Sequence, residues 1–153
     1  MVIQLSDKTT EELKKEVQES GLIPKGTICD FTVLEQVSFG SKTIRTEDAT
    51  SKKGNEMIVL VLNVFHGNQT KTIVDYLTSG NPRMEFKLRH AMSACGVDGA
   101  DGVSAKDFIG KSGKVKIGIQ KSEDAQYADK NTAQDYIEKG VAVDVALDDE
   151  IKF

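Results

Sequence analysis

Few side chains in this sequence could do chemistry, and their spacing limits what that chemistry is. His66 and His90 have no acid or thiol at metal-ligand or triad spacing, so neither reads as a zinc ligand or as the base beside a nucleophile. Gly110-Lys111-Ser112 has the end of a phosphate-binding loop. Ala105, however, stands where that loop needs its first glycine, and a strand rather than a helix is expected to follow. Asp98 and Asp101 lack the remaining ligands of a calcium loop, and the His, Glu and paired Cys of a nucleobase deaminase are absent. Cys29 and Cys95 are too few for a disulfide framework and too isolated for zinc, and are expected to be reduced and half-buried. No catalytic residue, metal or cofactor is expected.

What remains is a set of cations interleaved with aromatic rings. A single nucleic-acid strand needs cations along a groove for its phosphates and flat side chains for its bases. One polar stretch supplies Phe39, Lys42, Arg45, Lys52 and Lys53, and a second supplies Lys121, Tyr127 and Lys130. Lys114 and Lys116 on an outward strand face extend the cationic surface, and Phe65 adds a ring. Phe39 and Tyr127 sit in Gly- or Asp-rich surroundings that give a ring little to pack against, whereas Phe31 and Phe86 are expected in the core. Arg83, Lys87 and Arg89 are expected on the solvent face of a helix.

These residues need elements to position them. Thr9 with Glu12 makes a capping box, and Leu13 and Val17 fall one turn apart, so a short helix is expected from Asp7 to Ser20. Thr27 to Val37 alternates, with Cys29, Phe31, Val33 and Val37 on one face of a first strand. Ser38 to Asn55 reads as a long loop or mobile hairpin. Glu56 to Phe65 is apolar at both parities, which implies a central strand covered on both faces, the second by the N-terminal helix, a second subunit or bases stacking on Phe65. His66-Gly67-Asn68 turns it into a third strand, Lys71 to Leu77.

Asn81-Pro82 is a strong helix start; Met84, Leu88, Ala91, Met92 and Cys95 then share one face until Gly96 stops the helix. Ser104 to Asp107 is a capped short turn. Gly113 to Gln120, with Val115, Ile117 and Ile119 inward, and Thr132 to Glu138 are the last two strands. The class is mainly β. Five strands with a helix between the third and fourth is the order of the oligonucleotide-binding (OB) barrel, here with an N-terminal helix in front. Residues 1–21 are thus a helix and lead-in, 22–140 the OB domain, and 141–153 a flexible acidic tail.

The chain has 153 residues and a formal charge of −4, which excludes a uniformly basic coat. The acid sits at the ends. Asp7 to Glu19 has five acids and three bases, Val141 to Phe153 four acids and one base, while Gly40 to Lys121 has thirteen bases and eight acids. No run of eighteen apolar residues and no signal-like start occurs, so no membrane contact and a cytoplasmic location are expected.

Three stretches resemble a family of small phage proteins from early replication and recombination gene clusters: Leu22-Ile23-Pro24-Lys25-Gly26-Thr27, the run from Glu47 to Ile58, and the run from Phe108 to Val115. The resemblance spans roughly Leu22 to Gly140 and implies a single-stranded DNA-binding protein with an OB-type core, in the cytoplasm of a host cell if phage-encoded. The C-terminus, Asp148-Asp149-Glu150-Ile151-Lys152-Phe153, is similar to the acidic tip of bacterial and phage single-stranded DNA-binding proteins, with Lys152 where that tip has Pro. Such a tip implies docking of Phe153 and Ile151 in an apolar pocket of a replication or recombination protein, with Asp148, Asp149 and Glu150 meeting its basic residues. The expected function is coating of exposed single-stranded DNA with little sequence preference. The alternative is an OB-fold adaptor of a replication or recombination complex that never touches DNA; a homodimer fits either.

Overall fold

Alternating apolar residues build eight strands among the described residues of the computed structural model, which are 2–13, 21–123 and 129–140. They are β1 (Ile28–Leu34), β2 (Gln36–Phe39), β3 (Lys42–Arg45), β4 (Glu47–Thr50), β5 (Glu56–His66), β6 (Gln69–Thr78), β7 (Ser112–Gln120) and β8 (Lys130–Ile137). Helix α1 (Pro82–Cys95) joins β6 to β7, followed by a 3-10 turn, Ala105–Phe108. The class is mainly β, with all strand pairings antiparallel.

β5 organises the sheet. Its eleven residues pair along one edge with β6 and along the other with β4 and then β1; β1 carries the order on to β7 and β8. Its even residues, Leu60, Leu62 and Val64 among them, enter the core with Phe31, Val33 and Ile117. Its odd residues Val59 and Val61 are buried too. Residues 2–13 are exposed and do not cover them; the β2–β3 hairpin lies against this face. Thr46 at its base donates to the Leu34 carbonyl at 2.7 Å and accepts the buried Val61 N–H at 2.9 Å.

Of the two expectations for Ser38 to Asn55, a long loop or a hairpin, the structure has a hairpin, and β2, β3 and β4 occupy most of that stretch. The first strand also ends earlier than Val37. The chain bends at Glu35, whose carbonyl accepts from Thr46 N–H at 2.9 Å, and Val37 pairs with Ile44 inside the hairpin.

α1 starts and stops where its caps place it. The Asn81 side chain accepts from Met84 N–H, and Gly96 takes the left-handed conformation at φ 71° that ends the helix. Ala91, Ala94 and Cys95 are buried beneath it, with Met84, Leu88 and Met92 packed at the margin. The 3-10 turn is fastened by Ser104 N–H on the Asp107 carboxylate at 2.9 Å. At the N-terminus, residues 10–13 are helical and Thr9 and Glu12 form the reciprocal capping box, at 2.7 and 3.1 Å; residues 14–20 of that expected helix lie outside the described residues.

The strands expected to form a five-stranded barrel form open antiparallel sheets that do not close. β6 and β8 run in the same direction on either side of a seam, each pairing only at its far edge among the described residues. One polar knot fastens the seam at its inner end. Lys87 of α1 donates to Asp75 of β6 at 3.0 Å and to the Ala133 carbonyl of β8 at 2.7 Å, and Tyr136 donates to the other Asp75 oxygen at 2.6 Å.

Candidate functional site

Above that knot the seam widens into a cleft of about 930 Å³. Period-2 alternation on β6 sends Ile73, Asp75 and Leu77 inward and Thr72, Val74 and Tyr76 to the outer face. The cleft collects residues from across the fold, among them Lys87 of α1, Gln120 at the end of β7 and Asp129 just before β8. Ile44 comes from the β2–β3 hairpin, Lys71 to Tyr76 from β6, Lys130 to Ala133 from β8, and Leu22 from the chain entering the body.

The electrostatics of the cleft are graded. Lys130, the first residue of β8, is exposed at the rim. Lys71 is half-buried, its ammonium donating to the Gly21 carbonyl at 2.9 Å beside Gln69, which donates to the same oxygen at 2.8 Å. Burial draws the Lys71 pKa below the usual lysine value. Lys87 at the floor is balanced by Asp75. Tyr76 is 50 % exposed, a flat ring standing on the outer face opposite Val59.

Some of the residues expected from sequence gather here and others do not. Phe39, 51 % exposed, and Lys42 face each other across the tip of the β2–β3 hairpin, whose Ile44 lines the cleft. Arg45 lies at the base of the hairpin, its Nε on the Gln36 side chain at 3.0 Å. Lys121 forms an ion pair with Asp129 at 3.2 Å at the mouth of the β7–β8 loop. Lys52 and Lys53 stand on the β4–β5 turn, outside the cleft lining. Lys116 is half-buried on β7, and Lys114 is engaged with Asp30 at 2.7 Å. Phe65, 40 % exposed, belongs to a different cavity together with Lys114. Tyr127 and the tip residues Asp148, Asp149, Glu150, Ile151 and Phe153 lie outside the described residues.

Three side chains depart from their expected settings. Phe86 is 63 % exposed rather than in the core, because α1 turns Leu88, Ala91 and Cys95 inward and leaves it on the opposite side. Lys87 is not on a solvent face; its side chain is 18 % exposed and inserted between β6 and β8. His90 does have acids beside it, since β8 brings Asp135 to 3.0 Å and Glu138 to 3.8 Å across 45 and 48 residues of sequence. Among the described residues, no group of three His, Cys, Asp or Glu side chains is arranged to hold a metal ion, and no helix is long and apolar enough to cross a membrane. Both cysteines are free and buried, deeper than the half-burial expected of them.

The sequence reading missed Tyr76, Lys71 and Ile44. For Tyr76 a signal existed: on β6 it has the parity opposite to Ile73 and Leu77, so an aromatic was facing out. For Ile44 none existed, because its place depends on a hairpin folding over β5.

Comparison with models of known protein families finds no match, and no curated protein matches the chain.

Proposed function

We propose that the protein binds single-stranded DNA in the cleft between β6 and β8, and that the fold is a partly open OB-type barrel. The observation that carries this is the strand order β6-β5-β1-β7-β8 with α1 inserted between β6 and β7. Numbering β1, β5, β6, β7 and β8 as barrel strands one to five makes that order 3-2-1-4-5. The cleft then falls between strands three and five, with the strand 1–2 and strand 4–5 connections at its margins; OB folds bind oligonucleotides with those two connections and the adjoining face of strands two and three. The strand 1–2 connection is the β2–β3 hairpin, and the strand 4–5 connection ends at Lys130.

In this reading Lys130 and Lys42 meet phosphates, and Tyr76 and Phe39 stack on bases. Backbone charge and ring faces are common to all sequences, so binding is nearly sequence-independent. The protein would coat strands exposed in phage replication or recombination, with the acidic tip around Phe153 recruiting other proteins of that process.

A labelled thirty-base oligonucleotide followed by fluorescence anisotropy at two salt concentrations tests the reading. Salt-sensitive binding that duplex DNA fails to compete away is expected, and Tyr76→Ala should weaken it about 5- to 150-fold, the usual worth of one stacked base. Absence of binding at low salt would sink the proposal. That outcome would favour the adaptor, a reading helped by the acids already paired with Lys87 and Lys121.

A further inference from the structure

A second cavity, of about 410 Å³, lies apart from the cleft and shares no lining residue with it. Phe65 of β5 and Ile137 of β8 are among its apolar residues, Ala94 and Gly113 line it beside them, and its charged groups are Lys114, paired with Asp30, together with Lys139 and Glu138. One lining residue connects this cavity to the end of the described chain. Gly140, the last residue before 141–153, lines it directly. Gly140 is in the left-handed region at φ 89°, and residue 141 therefore follows directly from a residue of the cavity lining.

That stretch has the sequence pattern of a half-buried strand. Val141, Val143, Val145 and Leu147 occupy one parity and Ala142, Asp144 and Ala146 the other. Fully extended, such a segment reaches about 23 Å, enough to cross the cavity and cover Phe65. Its acid, Asp144, suits Lys139 at the rim, Lys114 being paired with Asp30. The acidic tip beyond it offers only Ile151 and Phe153 as apolar residues, and it begins after the segment has passed the cavity.

We infer that residues 141–147 of the same chain dock in this cavity through their valine face and cover Phe65, leaving 148–153 free on a side of the molecule away from the cleft. Phe65 is then an anchor for the tail rather than a base-stacking residue. This inference stands independently of DNA binding, and its test contains no nucleic acid.

The measurement is amide hydrogen exchange of the full-length chain at low concentration, resolved over the last thirteen residues. Amides of 143–147 should exchange at least tenfold more slowly than those of 148–153. The protection should vanish in Val143→Asp with Val145→Asp, which leaves the body of the chain unaltered, and in Phe65→Ser, each variant being checked for an unchanged body by its exchange elsewhere. Equal exchange rates on both sides of residue 148, or protection that survives the Phe65→Ser change, would overturn the assignment. So would protection that appears only as the mass doubles with concentration, because the occupant would then be a second copy.

Discussion

At the scale of single residues the informative group is the knot of Asp75, Lys87 and Tyr136. Asp75 is 8 % exposed and holds both partners, and a buried carboxylate that loses its cation is left uncompensated. Lys87→Met should therefore cost about 3 kcal/mol in urea unfolding, and adding Asp75→Leu should recover much of that loss, since two apolar groups can replace a buried ion pair. A single-variant loss below about 1 kcal/mol would show water reaching Asp75. The same neighbourhood sets the alkaline limit. Burial pushes the Cys95 thiol up to about 11, against the opposing pull of Lys139 and Lys111. Burial and then the Asp75 charge push Tyr136 well above the usual tyrosine value. Both folded-state values exceed the unfolded ones, so the unfolded chain releases its protons first as pH rises. The stability is complete below pH 9, falls between 9 and about 11 for Cys95, and falls further from pH 10 upward for Tyr136. The urea midpoint should drop between pH 8 and 10.5, and Cys95→Ala should flatten the first part of that decline. None of this was legible in the sequence. Asp75, Lys87 and Tyr136 belong to three separate elements, and Lys87 there looks like one more charge on a helix.

At the scale of elements, local chemistry was legible and folding-over was not. Asn81-Pro82 and Gly96 bracket α1 because capping is a property of consecutive residues. The double-sided burial of β5 was legible as well, because both its parities are apolar. The identity of its cover was not, since the β2–β3 hairpin is polar and contributes through position. Thr46 carries that position. Its hydroxyl serves both the Leu34 carbonyl and the Val61 amide, so Thr46→Val takes a hydrogen bond from the part-buried Leu34 carbonyl and from the buried Val61 amide. The expected loss is about 2 to 4 kcal/mol, with Thr46→Ser largely restoring stability; equal losses in the two variants would mean that the methyl, not the hydroxyl, fixes the hairpin. The contact of α1 with β7 is equally tight. A Cβ on Gly113 would stand 2.7 Å from the Ala94 carbonyl oxygen, so Gly113→Ala should lower stability by about 1 to 3 kcal/mol through displacement of the helix end. An unchanged urea midpoint would show that α1 shifts freely.

At the scale of the whole molecule the question is how a chain of charge −4 presents a cationic site. The excess bases between Gly40 and Lys121 are not spent in one place, because many are tied down. Lys87 faces Asp75, Lys114 faces Asp30, Lys121 faces Asp129, and Arg89 pairs with Glu85 one turn back on α1. A charge sum along the sequence overstates what a phosphate meets, since it cannot see which acids the fold brings to which bases. The position of a lysine in the fold therefore matters more than its membership of a basic stretch. Lys130 is on the cleft rim, whereas Lys52 and Lys53, the densest basic pair in the sequence reading, stand on the β4–β5 turn outside it. Each phosphate contact on a single strand contributes about 0.7 to the slope of log affinity against log salt. If the cleft holds the strand, Lys130→Ala should reduce that slope by roughly this amount and weaken binding equally for all base sequences. Lys52→Ala with Lys53→Ala should leave the slope within about 0.3 of the parent, less than half of one contact. Anisotropy titrations of the three proteins across four salt concentrations decide it. A slope that falls for the turn pair and not for Lys130 would move the strand off the cleft and onto the β4–β5 end of the sheet.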